Sequence, residues 1–166
     1  MEKYSIIYSS KTGNTELLAT HLKRILPERD RVYYGNPSAE ACHAGLLMIG
    51  FWTDKGTCDE EMAAFLKNLR NKKIFLFGTA GFGGSESYFS GILSRIETLL
   101  DASNTVIGTF MCQGKMPMTV RKRYESMLEK DPEKMQPLID NFDLALSHPD
   151  EEDLKKFEKL VQTSNL

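Results

Sequence analysis

An α/β fold, with a parallel sheet wound by helices on both faces, is predicted by three observations. Runs of strand-like apolar residues and stretches of helical periodicity alternate five times along the chain. Residues 45–51 (GLLMIGF) and 74–77 (IFLF) are apolar throughout, as in strands buried on both faces. The chain has 166 residues, enough for one domain with a substantial core.

Residues 3–8 (KYSIIY) read as the first strand. A helix opens at Gly13 and Thr15, with Leu17, Leu18, Leu22, Ile25 and Leu26 along one face and Pro27 just past its end. Residues 32–34 form a short second strand and residues 45–51 the third. A helix over 58–70 turns Met62, Phe65, Leu66 and Leu69 inward. The fourth strand, 73–77, ends at Gly78 and leads into a glycine-rich loop, 79–85. A helix over 86–101 carries Phe89, Ile92, Leu93, Ile96, Leu99 and Leu100, and residues 105–111 form the fifth strand. Three more helices are predicted at about 117–130, 134–146 and 150–163, the last with Asp150 as N-cap. Residues 117–166 are expected to be a helical C-terminal extension packed on a single domain spanning 1–166.

Composition narrows the function. The charged residues, 21 basic and 23 acidic, leave a net charge of -2, which gives no argument for nucleic acid or an anionic membrane as partner. Cys42, Cys58 and Cys112 are odd in number and lack a CxxC spacing. They fit a reducing cytoplasm better than a disulfide framework. The start, MEKYSIIYSS, has no signal-peptide pattern, and no apolar stretch is long enough to span a membrane. A cytoplasmic protein is expected. His21, His43 and His148 make no metal or triad pattern, and the acidic clusters 59–61 and 150–153 suit helix N-termini.

In a doubly wound sheet, ligands sit beyond the C-terminal ends of the strands. Four stretches lie there: 9–15, 51–58, 78–88 and 112–117. The first, Ser9-Ser10-Lys11-Thr12-Gly13-Asn14-Thr15, has the makings of a phosphate site. It follows a buried strand and opens a helix, whose first amides are free and partly positive. Ser10, Thr12 and Thr15 add hydroxyl donors, and Gly13 allows close backbone approach. A Walker loop and a GxGxxG dinucleotide fingerprint are both absent. A phospho-accepting receiver domain would need acids after strand one and an aspartate ending strand three, where this chain has Ser9-Ser10 and Gly50. The plain alternative is a serine-threonine cap on an ordinary helix.

From Ile6 to Leu22 the chain resembles the flavodoxin signature: two apolar residues and Tyr8, then Ser10, Gly13 and Thr15, with Ala19 and Leu22 at the family spacing. The resemblance covers residues 1 to about 130 and implies a five-stranded parallel sheet in the order 2-1-3-4-5. It implies FMN as cofactor, with residues Ser10, Lys11, Thr12, Gly13, Asn14 and Thr15 around its phosphate.

It also implies two loops around the flavin ring. In Trp52-Thr53-Asp54-Lys55-Gly56, the only tryptophan of the chain either stacks on the ring or caps the core. Gly56 is placed near flavin N5, and Lys55 either stabilises an anionic reduced flavin or is simply solvated. In Thr79-Ala80-Gly81-Phe82-Gly83, Phe82 is the candidate for the outer face of the ring. Many relatives carry tyrosine or tryptophan and nearby acids in this loop, whereas here Glu86 is the only acid close by. The fourth stretch offers Gln113 or Lys115 to the site, and Cys112 as either a reactive thiol or an inert core residue.

The function implied is an electron carrier, monomeric or weakly dimeric, that exchanges electrons with a partner oxidoreductase. The redox chemistry would belong to the cofactor, and no catalytic side chain is required. Two other readings stay open: an FMN-dependent reductase acting directly on a small substrate such as a quinone, and a cofactor-free interaction module. The C-terminal helices, Trp52, Phe82 and residues 112–115 also resemble a small group of bacterial flavodoxin-domain proteins. Some of that group are associated with a larger flavin reductase acting on tetrapyrroles such as bilirubin.

Overall fold

The computed structural model describes residues 2–83, 85–164 and 166. Five strands, β1 (Tyr4–Tyr8), β2 (Arg31–Gly35), β3 (Leu46–Trp52), β4 (Lys73–Ala80) and β5 (Thr105–Gln113), form one sheet in the order β2-β1-β3-β4-β5. All four pairings are parallel, as the apolar runs predict. The helices are α1 (Asn14–Ile25), α2 (Glu60–Lys67), α3 (Glu86–Glu97), α4 (Met118–Met127), α5 (Pro132–Ala145) and α6 (Glu151–Thr163).

The period of two along each strand sorts the core into two layers. Tyr4, Ile6, Leu46, Met48, Phe75, Phe77 and Phe110 face α1 and α6, where Leu18, Leu22, Phe157 and Val161 meet them. Ile7, Leu47, Ile49, Phe51, Ile74 and Leu76 face the other way, against Met62 and Leu66 of α2 and Ile92 and Ile96 of α3.

Several expectations change. The alternation of strand and helix is broken between β2 and β3, where a 3₁₀ turn, Ala39–His43, stands in place of an α-helix. Its N-cap Ser38 accepts from the Glu40 amide, and Pro37 precedes it. β4 runs three residues past the predicted end, so Thr79 and Ala80 are strand residues rather than loop residues. Their backbones pair with Cys112 and Gln113 of β5, itself two residues longer than predicted. α3 stops at Glu97 rather than 101, and α2 is shorter at both ends.

The segment after residue 117 divides in two. α4 and α5 form a hairpin with its own small core of Tyr124, Met135 and Ile139. The Arg121 guanidinium ties the pair together through both oxygens of Asp143, at 2.9 and 3.0 Å. α6, by contrast, is no appendage. Phe157 and Val161 are buried in the main core, and His21 of α1 lies 3.2 Å from Glu158 of α6. Asp150 caps α6 as predicted. Its carboxylate accepts from the Asp153 amide, and the Asp153 carboxylate accepts from the Asp150 amide, both at 2.9 Å.

Candidate functional site

Beyond the C-terminal ends of β1, β3, β4 and β5 lies a cavity of about 640 Å³. The four stretches singled out in the sequence converge there, joined by α3 and α4.

The first loop is held to the sheet by the Ser9 amide, which donates to the Gly50 carbonyl at 3.1 Å. Gly13, at φ 88°, takes a left-handed turn into α1 that L side chains disfavour. The Ser10 hydroxyl accepts from the amides of Gly13 (3.2 Å) and Glu16 (3.3 Å). The Asn14 and Thr15 amides donate to nothing among the described residues, so two polarised donors of the first turn remain available. The Ser9 hydroxyl is buried without a hydrogen-bond partner among the described residues. Thr15 is fully buried, and its hydroxyl is shared with Thr79 at 3.0 Å. That bond ties α1 to β4.

Asn14 joins this loop to the fourth stretch. Its side-chain amide donates to the Thr12 hydroxyl (3.0 Å) and to the Lys115 carbonyl (2.9 Å). It lies so close to Gly114 that a β-carbon there would collide with it. The Gly114 amide in turn donates to the Ala80 carbonyl, at 2.9 Å.

Trp52 ends β3, on the cavity wall. Both the amide and the hydroxyl of Thr53 donate to the Thr79 carbonyl, at 3.0 and 2.8 Å. Asp54 and Thr57 then exchange two backbone bonds around a tight turn whose central residues, Lys55 and Gly56, have φ of 50° and 82°. Arg95 of α3 donates to the Gly56 carbonyl at 3.0 Å. The Lys11 ammonium sits 5.1 Å from the centre of the Trp52 ring.

The glycine-rich loop is pinned from the other side. The Gly81 carbonyl accepts from Gln113 (3.0 Å) and from Asn141 of α5 (3.1 Å). Phe82 is left 40% exposed at the cavity wall, free of the core.

Of the residues predicted for the site, the cavity brings together Lys11, Thr12, Asn14, Trp52, Thr53, Lys55, Thr79, Ala80, Gly81 and Phe82. Ser10, Gly13, Thr15, Asp54, Gly56 and Gly83 stand behind or beside that wall. Tyr88 of α3, which ends the stretch 78–88 but is not among the residues predicted for the site, also lines it, and sequence reasoning missed Thr119, Val120 and Arg123 of α4. Thr119 and Arg123 are four residues apart and so share a helix face, but nothing local says that the face borders a cavity.

Cys112, weighed as a reactive thiol, is buried in the layer with Phe110 and Phe157. Burial, helped by the charges of Asp153 and Asp150, pushes its thiol well above the usual range. Cys58 is raised by burial as well. With iodoacetamide at neutral pH, the folded protein is expected to label at the partly exposed Cys42 alone, and at all three cysteines in denaturant. Mass spectrometry of the tryptic peptides checks this. The histidines made no metal pattern in the sequence, yet His148, Asp150 and Asp153 lie within 4.8 Å of one another. Both aspartates are committed to the cap of α6.

A family model described as Flavodoxin domain matches residues 5–162. The chain is 38% identical to the flavodoxin-like domain-containing protein BilS of Clostridium symbiosum, over 98% of this chain and 95% of that protein. Oxidised flavodoxin 2 from Bacillus cereus superposes with a TM-score of 0.60 at 20% identity, covering 95% of this chain and 93% of that one. A Lactobacillus acidophilus flavoprotein in complex with FMN superposes with a TM-score of 0.50 at 17% identity, covering 67% of this chain and 93% of the other. Among the described residues, no helix is long and apolar enough to cross a membrane. The strand order, the loop from Ser9 to Thr15 and these likenesses agree, and the chain belongs to the flavodoxin domain family.

Proposed function

We propose that the cavity binds FMN and that the protein carries electrons between this cofactor and a partner oxidoreductase. The observation that carries the reading is the pair of free amides at the start of α1, opening beside a cavity that holds Trp52. The buried, unpartnered Ser9 hydroxyl and the open space around Gly13 fit the same group. FMN supplies the redox chemistry when bound. The chain's own part is to bind and orient it. The amides of Asn14 and Thr15 and the hydroxyl of Thr12 are assigned to the phosphate, and Trp52 and Phe82 to the flat ring. The membership of the family and the solved FMN complex of a protein with this fold support the assignment.

The test is an absorption spectrum followed by titration with FMN and with riboflavin, which lacks the phosphate. The purified protein is expected to be yellow and to prefer FMN. Thr12→Ala should weaken FMN binding by about tenfold, since a hydrogen bond to a charged group is worth about 1.5–3 kcal/mol. Riboflavin binding should not change. Equal affinity for the two flavins would remove the phosphate cradle from the argument. No binding of either would sink the proposed function.

A further inference from the structure

Among the described residues, the wall of this cavity carries four cations and no acid. Lys11 comes from the first loop, Lys55 from the turn after β3, Lys115 from the stretch after β5, and Arg123 from α4. All four are exposed, and none forms an ion pair among the described residues. This runs against the chain as a whole, in which acids outnumber bases by 23 to 21.

The concentration does not come from one basic run, because four separate segments each contribute one charge. Some cations elsewhere are paired with acids. Lys73 lies 2.9 Å from Glu2, Arg31 lies 2.9 Å from Glu28, and Arg121 pairs with Asp143 and Glu125. Arg121 and Arg123 show the contrast on one helix: the first is spent on α5, the second borders the cavity unpaired. Two acids of the flanking loops stand apart from the set. Asp54 adjoins Lys55 but lies off the cavity wall, and Glu86 borders a different groove, between α3 and α6, together with Lys156 and Lys159.

A phosphate monoester carries about -1.5 to -2 charges near neutral pH. Cofactor binding therefore offsets only part of the set and leaves the mouth of the cavity positive. Exposed like charges held around one opening repel one another, and a surface of opposite sign relieves that repulsion.

Resting on the proposed FMN carrier function, we infer that the rim formed by Lys11, Lys55, Lys115 and Arg123 is the docking surface for a redox partner whose own electron-transfer site is ringed by carboxylates. Docking there sets the partner's centre over the end of the sheet at which Trp52 lies. The charges act on the encounter rate, and their effect is screened by salt.

The test uses the full chain loaded with FMN, reduced anaerobically with dithionite and desalted. It is mixed in a stopped-flow instrument with an acidic acceptor, the copper protein plastocyanin, or a basic one, cytochrome c. In each reaction one electron leaves the flavin, and Cu(II) becomes Cu(I) or Fe(III) becomes Fe(II). Rates are counted per bound flavin. The rate with plastocyanin is expected to fall by about tenfold between low and high salt, and the rate with cytochrome c to rise, as for attraction and repulsion. The double variant Lys55→Glu/Arg123→Glu should reverse both slopes. The wild-type slopes decide the matter even if that variant folds poorly. A yellow protein that reacts faster with cytochrome c at low salt, with the opposite slopes, overturns the docking inference alone. A folded protein that takes up no FMN overturns the function on which it rests.

Discussion

Phe157→Ala is expected to melt roughly 10–15 °C below the parent, on a loss of about 3–5 kcal/mol for a buried phenylalanine. The side chain is fully buried. Its ring stacks on Phe110 with centroids 4.8 Å apart, and lies 5.2 Å from Phe77 and 6.1 Å from Phe75. These three partners come from the two strands at one side of the sheet, so the cavity left by truncation would open along the whole β4–β5 side of the layer. Rigid strand residues cannot collapse into such a gap, which puts the loss toward the upper part of the range. Calorimetry of the parent and the variant measures it. A shift of less than about 3 °C would show that α6 is dispensable to the core, against its burial here.

Gly50→Val should both destabilise the protein and weaken FMN binding. Gly50 pairs with Phe77 across β3 and β4, and a β-carbon there would run into the Phe77 ring and come within 3.0 Å of the Thr15 methyl group. Thr15 is in the first turn of α1, so extra volume at Gly50 pushes the helix, and the loop that leads into it, away from the sheet. Overpacking of this kind costs about 1–3 kcal/mol or more. The neighbouring pair gives the control. Gly78 pairs with Phe51, and a β-carbon there would strike the Phe51 ring on the opposite face. Gly78→Val should destabilise to a similar degree while affecting FMN binding less, because α1 lies on the other face. Urea unfolding and flavin titration of the two variants separate the effects. Equal losses of FMN affinity would mean that the position of α1 does not set the cradle.

The contrast between these glycines shows what could be read in the sequence and what could not. The apolar runs of β3 and β4 carry their own evidence, and so does the loop from Ser9 to Thr15, because strand burial and helix initiation are local properties. Why Gly50 and Gly78 must be small is not local. It depends on register between strands more than twenty residues apart, which fixes whose ring covers which backbone. The same holds for the contact of the Thr15 hydroxyl with that of Thr79, on a strand far along the chain. The helical period of α4 and α6 was legible. That α6 completes the core while α4 borders the cavity was not, since amphipathic spacing names a buried face without naming what buries it.

The bond from Asn14 to the Lys115 carbonyl spans 101 positions of the chain. During synthesis, the loop at the start of α1 emerges long before the stretch that it must meet. Phe157, which covers the aromatic layer of β4 and β5, emerges later still. A growing chain stalled between these points would present Phe75, Phe77 and Phe110 to solvent, without the helix that covers that layer. Unfinished chains of this kind are expected clients for chaperones that bind exposed aromatic surface.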